Sequence, residues 1–274
     1  MVFLLLSIAC SSAILFLFRL FPKYQVQTPV AITLNYGVAM MLSLTEVKQM
    51  PSSLAWWMPV SLLLGILFIL VFILMALTTK AAGVTMASLA SKLSMVIPIA
   101  FGVLFLKEYL GWQGMLGLLL AFVSVFIMSG PAKNGQWTWH IPALFLGTGL
   151  IDLCVSMFSN WIPSQDLGMV RSLIFGSAFV TGLFINFRHR FQRASVVAGL
   201  VLGVVNYGSL IFLMKSLESE LWPSAILFPF NNLGIIALST LVALIFFAEK
   251  LTWRVSVGLG MGMGALALLA WTGA

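Results

Sequence analysis

The chain has 274 residues, of which 61% are hydrophobic and only 8% are charged, and its mean hydropathy is +1.11. A water-soluble domain of this size cannot bury so much apolar surface, so the composition excludes an ordinary soluble enzyme or binding module. The net charge of +7 does not predict nucleic-acid binding. Most of the cations lie in short loops between apolar stretches, where they orient a chain in a bilayer and contact lipid phosphates.

Ten apolar stretches follow one another, each near the roughly 20 residues that a membrane-spanning helix needs. The predicted spans, numbered 1 to 10, are 2–19, 28–45, 56–78, 84–106, 110–130, 140–161, 167–187, 195–215, 222–247 and 251–272. The sequence therefore predicts an all-α polytopic protein whose main partner is the lipid bilayer. The two cysteines, Cys10 and Cys154, fall inside spans, and this placement indicates neither a disulfide framework nor a metal site.

The second five spans resemble the first five. At an offset of 141 residues, the pattern Phe-x-x-Glu-x-Leu-x-Trp occurs twice, at Phe105, Glu108, Leu110 and Trp112 and at Phe246, Glu249, Leu251 and Trp253. This agreement predicts two five-helix repeats, residues 1–130 and 139–274. An odd number of spans in each repeat inverts one repeat relative to the other, which is typical of many secondary transporters.

The loop cations are unevenly distributed between the two predicted sides of the membrane. One side carries nine, Arg19, Lys23, Lys80, Lys133, Arg188, Arg190, Arg193, Lys250 and Arg254, and the other carries four, Lys48, Lys107, Lys215 and Arg171. The positive-inside rule places the richer side in the cytoplasm and both termini outside it. The short loops favour a bacterial inner membrane.

Asp152 is the sharpest candidate for function, because a carboxylate in the middle of a spanning helix costs roughly 2.5–3.5 kcal/mol on insertion scales. It belongs to a polar face of span 6, on which Thr148, Ser156 and Asn160 recur at intervals of four residues. Ser11 begins the equivalent face in span 1. We expect Asp152, Ser156 and Ser11 to contact a solute or a proton at the middle of the membrane. The alternative is a buried structural carboxylate.

Lys92 lies near the middle of span 4, beyond easy reach of either membrane surface, with Ser88 one turn before it. It either pairs with Asp152 or offers a positive charge to an anionic group. Pro98 removes one backbone donor from the same span and predicts a bend. In the second half, Asn231, Asn232, Asn206 and Tyr207 are further candidates for solute contact, with helix-to-helix hydrogen bonding as the alternative.

Three charged residues near span ends receive structural interpretations. Glu108 and Glu249 are predicted to be helix caps or surface ion pairs with little direct role in transport. Arg171, about one turn inside span 7, is predicted to reach the lipid headgroups or to pair with Asp166.

The segment from Ala90 to Trp112, with a proline within its helix, an acidic residue near its end and a glycine-rich helix after it, resembles the EamA-like branch of the drug/metabolite transporter superfamily. The turn from Phe247 to Trp253 repeats the acidic element. The resemblance implies a ten-helix transporter whose spans 1, 3, 4, 6, 8 and 9 surround the solute. It also implies cytoplasmic termini, contrary to the distribution of cations.

The predicted function is secondary transport of a small polar metabolite, amino-acid-like or otherwise charged or zwitterionic, by alternating access. Two alternatives stay open, a proton-coupled exporter of amines or drugs, with Asp152 as the coupling residue, and a membrane scaffold that transports nothing. Motifs of membrane hydrolases, such as HExxH and GxSxG, do not occur in the sequence, so no catalytic residue, metal or cofactor is predicted. A monomer is the simplest functional unit, because each half can pack on the other.

Overall fold

In a computed structural model, the described residues are 1–47, 55–105, 107, 111–128, 139–188, 191–218 and 224–272. All regular structure among them is helical. The α-helices are α1 Val2–Leu20, α2 Thr28–Leu44, α3 Trp57–Ala82, α4 Val84–Leu93, α5 Val96–Phe105, α6 Trp112–Met128, α7 His140–Trp161, α8 Leu167–Ile185, α9 Arg193–Glu218, α10 Ser224–Phe247 and α11 Trp253–Thr272, with a short 3₁₀ helix at Ser164–Asp166.

Within the described residues, seven helical segments are long and apolar enough to cross a membrane, and α4 with α5 counts as one of them. Three other apolar helices, Thr28–Leu44, Trp112–Ile127 and His140–Val155, are shorter than this. An α-helix satisfies its own backbone hydrogen bonds, which is what a bilayer demands of a spanning segment. The chain is therefore an integral, multi-pass, all-helical membrane protein, as the composition predicts.

The main helix contacts connect the first half of the chain to the second. Helix α1 packs against α9 and α10, α2 against α8 and α9, and α3 against α7 and α8. Helix α4 lies against α7 and α10, and α6 pairs with α11. Buried apolar side chains form two clusters, one around α4, α6 and α11 and the other around α2, α3 and α8, and both draw on the two halves.

Glycines on α11 show which face of this helix meets protein. A Cβ atom built at Gly262 would lie 3.0 Å from Leu89 Cδ1, and the Ser124 hydroxyl donates a hydrogen bond to the Gly258 carbonyl at 2.7 Å. By contrast, a Cβ built at Gly260 or Gly264 meets nothing within 4 Å. Helix α11 contains two overlapping GxxxG patterns, Gly258 with Gly262 and Gly260 with Gly264, and only the first pair is closely packed.

Predicted span 4 consists of two helices with a short interruption near its middle. Helix α4 ends at Leu93, and α5 begins at Val96, so that Pro98 stands in the first turn of α5, where a missing backbone donor costs little. The Ser94 carbonyl accepts a hydrogen bond from Ile97 N at 2.9 Å across the break. The interruption covers two residues, Ser94 and Met95, near the middle of a membrane-spanning segment, and Ser94 itself keeps right-handed helical dihedrals.

Candidate functional site

The break between α4 and α5 lies against Asp152 of α7. The Ser94 hydroxyl donates a hydrogen bond of 2.8 Å to Asp152 Oδ2. Ser94 is itself fully buried, whereas Asp152 is an exposed residue. A buried hydroxyl therefore orients the carboxylate of an exposed residue, which can receive a cation or exchange a proton.

Lys92 stands two residues before Ser94, at the end of α4. Lys92 and Asp152 attract each other electrostatically, yet within the described residues Lys92 forms no ion pair with an N···O distance of 4.0 Å or less. Of the two roles that the sequence leaves open for Lys92, the structure therefore does not show the close ion pair. Two opposite charges that are near but unpaired leave each free to bind a group of a third molecule.

Asn232 of α10 reaches the same helix end from the other half of the chain. Its Nδ2 donates to the Lys92 carbonyl at 3.4 Å and lies 3.0 Å from Met95 Sδ. The last carbonyls of a helix lack partners within the helix, so an amide from a neighbouring helix stabilises the break. Asn231, 4% exposed, has a buried Oδ1 atom without a hydrogen-bond donor among the described residues.

Ser88 lies one turn before Lys92 and is fully buried. Its hydroxyl oxygen accepts a hydrogen bond of 2.7 Å from Ser239 on α10, which makes a second polar contact between α4 and α10. The structure thus gathers Ser88, Lys92, Asp152 and Asn232 around α4 and its broken end. We call these four residues and Ser94 the midspan cluster.

Three other predicted site residues, Tyr207, Asn206 and Ser11, have no hydrogen bond to this cluster in the described part of the chain. Tyr207 donates to Glu46, and the Asn206 carbonyl accepts from Ser209 Oγ at 2.7 Å. Ser11 is half-buried in α1, and no hydrogen bond joins it to the midspan cluster in the described part of the chain. Ser156 lies in α7, but its side chain is outside the described residues. Their roles in solute binding stay predictions.

Sequence reasoning missed Ser94, Ser239 and Glu46. Glu46 accepts hydrogen bonds from both Arg171 of α8 and Tyr207 of α9, so Arg171 pairs with Glu46, whereas the sequence predicted lipid headgroups or Asp166 as its partner. The signal available for Glu46 was its position just after predicted span 2, since a carboxylate beside a span needs a partner. The two serines gave no such signal, because hydroxyls are common in spanning helices and usually bond to their own helix.

No group of three or more His, Cys, Asp or Glu side chains comes together for metal binding in the described residues.

Residues 1–130 match the sequence model of the EamA-like transporter family. The family resemblance predicted from the proline, the acidic turn and the glycine-rich helix is confirmed over this part of the chain.

Two further comparisons extend over nearly the whole chain. An uncharacterized protein of Haemophilus influenzae is 26% identical over 97% of this chain and 96% of its own length. A solved crystal structure aligns with 97% of each chain at a TM-score of 0.57 and 13% identity, which shows a shared fold and nothing more. The comparisons therefore support a transporter of the drug/metabolite type and leave its solute unspecified.

Proposed function

We propose that this protein is a secondary transporter that moves a small charged or zwitterionic metabolite by alternating access. Its ten spans would form two inverted five-helix repeats, residues 1–130 and 139–274. The observation that carries the proposal is the midspan cluster: the carboxylate of exposed Asp152 and the Lys92 ammonium, which has no ion pair among the described residues, lie beside an interrupted spanning helix. Interrupted helices near the midplane are the usual place for solute sites in secondary transporters.

The helix contacts support the proposed repeats. Exchange of the halves replaces α1 by α7, α2 by α8, α3 by α9, α4 with α5 by α10, and α6 by α11. Under this exchange the contact α1–α9 becomes α3–α7, and the contact α2–α9 becomes α3–α8. Three other contacts are unchanged, namely α2–α8, α4–α10 and α6–α11. A pairing that is unchanged by the exchange is what two equivalent repeats related by a twofold axis would produce.

Charge complementarity favours a zwitterion. A carboxylate at Asp152 suits an amine, and an ammonium at Lys92 suits a carboxylate or phosphate. A solute with one charge only would leave the other protein charge without a partner in a region where unpaired charge is costly. This argument ranks an amino-acid-like solute above an amine or a cationic drug. Proton exchange at Asp152 is the coupling that such a site can supply.

Exposure at Asp152 supports access from an aqueous cavity, because a carboxylate facing lipid would be unstable. The cation-rich side, which includes Arg19 and Lys80, would face the cytoplasm of a bacterial inner membrane. The interlocked halves need no second copy to complete the midspan cluster, which favours a monomeric transporter.

The test is a thermal-stability screen of the purified protein against a library of amino acids, organic acids, amines and sugar phosphates. A ligand that binds only the folded protein raises its unfolding temperature, and the rise grows with ligand concentration. We expect zwitterions to stabilise the wild-type protein and to lose this effect in Asp152→Asn and in Lys92→Ala.

Lys23→Ala is the matched control, because Lys23 is exposed in the loop after α1. A ligand whose effect survives both midspan variants would refute the proposed site. A folded protein that no library member stabilises would contradict the choice of solute class and favour the scaffold alternative.

A further inference from the structure

A carboxylate from the second half contacts the first half at one end of the molecule. Glu249 lies in the turn between α10 and α11, and its Oε1 accepts a hydrogen bond from Val84 N at 2.9 Å. Its Oε2 lies 3.4 Å from the Thr85 hydroxyl, and Arg19 Nε is 3.9 Å from Oε1. We call Arg19, Gly83, Val84, Thr85 and Glu249 the Glu249 clamp.

The clamp replaces the cap that α4 lacks. Gly83 is the N-cap residue of α4 and carries no side chain, so the free N–H at the start of this helix is satisfied by a residue 165 positions away. Gly83 has φ +96°, and a Cβ built there would lie 2.8 Å from both Glu249 carboxylate oxygens. Glycine is thus required for the backbone conformation and for the approach of Glu249.

The same contacts extend to α1 and α3. Arg19 Nη1 donates to the Thr79 carbonyl at 3.4 Å and to the Lys80 carbonyl at 3.1 Å, at the end of α3. Glu249 therefore joins α1, α3 and α4 of the first half to the end of α10 in the second half. A cavity of about 300 Å³ lies on this surface, and Arg19, Lys80, Glu249 and Lys250 are among its lining residues.

The Glu249 clamp and the midspan cluster lie at opposite ends of α4. Helix α4 begins at the clamp and ends at Leu93, between Lys92 and Ser94, and Ser94 bonds to Asp152. The start of α7 lies at the clamp end too, because the Thr78 hydroxyl is 3.4 Å from the His140 carbonyl. Helices α4 and α7 pack against each other between the clamp end and Asp152, so they would border any route for a solute from this end to Asp152.

We propose that the Glu249 clamp is the gate at this end: while it is formed, the route from the clamp end to Asp152 is closed, and its opening gives the solute access from that side. The proposal rests on the transport function proposed above and assigns Glu249 a role that a surface ion pair would not have. Glu249 is a positioning residue, since it acts through α4 and does not contact the solute.

The test measures accessibility, so it needs no known solute. Thr148 lies on the Asp152 face of α7, one turn nearer the clamp end, and it is half-buried. Thr148→Cys is introduced into a Cys10→Ala, Cys154→Ala background and labelled with a membrane-impermeant maleimide in intact spheroplasts and in inverted vesicles. Lys23→Cys, exposed after α1, shows from which side the clamp end is reached.

We expect Thr148→Cys to be labelled slowly from the clamp end and about tenfold faster or more after Glu249→Gln, the shift expected when one charge-assisted hydrogen bond is lost. Gly83→Ala should have the same effect, because the added methyl group would displace the Glu249 carboxylate from the start of α4. Glu46→Gln is the matched control, since Glu46 also carries an ion pair between the halves but bonds to α8 and α9.

Equal labelling from the clamp end before and after Glu249→Gln and Gly83→Ala would overturn the proposal, as would an equal increase after Glu46→Gln. If Glu249→Gln does not give a monodisperse protein, Gly83→Ala and Arg19→Gln decide between the same outcomes. If only the gate proposal is wrong, the protein still transports solute but labelling does not change after Glu249→Gln. If only the transport proposal is wrong, no solute flux is measured but the change in labelling persists. The two failures are therefore distinguishable.

Discussion

Asp152→Asn is the most informative single substitution, because asparagine has nearly the same shape as aspartate and lacks its charge. In the wild-type protein Ser94 orients the carboxylate through a hydrogen bond of 2.8 Å, and asparagine can keep this contact through its carbonyl oxygen. The variant therefore changes what a solute amine binds while it leaves the packing of α4 against α7 in place.

The expected loss of affinity follows from the position of the carboxylate. Two unit charges 4 Å apart attract by about 1 kcal/mol in water and about 4 kcal/mol at an effective dielectric constant of 20. Asp152 is accessible and also lies against the buried Ser94, so an intermediate value applies. A loss of about 2 to 3 kcal/mol corresponds to an affinity lower by roughly 30- to 150-fold.

The assay is equilibrium binding of the ligand found by thermal stability, measured with purified protein in detergent. Ser94→Ala is the companion variant, since it keeps the charge and removes only its orientation. We expect it to weaken binding by about 1 kcal/mol, roughly fivefold. A folded Asp152→Asn protein that binds within threefold of wild type would refute the reasoning, and so would a larger loss in Ser94→Ala than in Asp152→Asn.

Three further predictions concern other parts of the structure. Gly262→Leu should lower the free energy of unfolding by about 1 to 3 kcal/mol through overpacking, whereas Gly264→Leu should be tolerated because nothing lies within 4 Å of its Cβ position; chemical unfolding in detergent measures both. Lys92→Ala should lower affinity at least tenfold for ligands that carry an anionic group and have little effect on amines without one, measured by the same binding assay. Tyr207→Phe should lower stability by about 0.6 to 1.7 kcal/mol, because it removes the hydrogen bond to Glu46.

Each of these expectations has an outcome that contradicts it. Equal effects of the two glycine substitutions would mean that α11 does not present Gly262 to its neighbours. An equal loss for anionic and amine ligands in Lys92→Ala would mean that the ammonium does not contact the anionic group. Unchanged stability of Tyr207→Phe would mean that the contact with Glu46 contributes nothing in detergent, and Tyr207→Leu, which also removes ring packing, gives the scale for that comparison.

The helical, membrane-embedded character of the chain could be predicted from sequence because hydropathy and span length are local properties. The importance of Asp152 and Lys92 could also be predicted, since charge in a spanning helix is costly and needs a reason. The position of Pro98 indicated a distortion of span 4. It could not show that the helix ends at Leu93, because the break depends on Asn232 of another helix, which satisfies the freed Lys92 carbonyl.

Contacts between distant segments could not be predicted. Glu249 was interpreted as a cap or surface ion pair, and the identity of the helix that it caps, α4, follows only from the packing of the two halves. Arg171 was predicted to reach the lipid headgroups or to pair with Asp166, whereas the fold brings Glu46 to it from the end of α2. In both cases the side chain needed an opposite charge or a donor, and sequence proximity does not say which one is near in space.

The central claim is that the midspan cluster binds a solute which the protein carries across the membrane. The most direct measurement is the flux of the ligand found by thermal stability into proteoliposomes that contain the wild-type protein or Asp152→Asn. We predict uptake that saturates with ligand concentration in the wild-type protein and falls to the level of empty liposomes at the same ligand concentration in the variant. Binding without any flux in the wild-type protein, or equal flux in the two proteins, would contradict the claim.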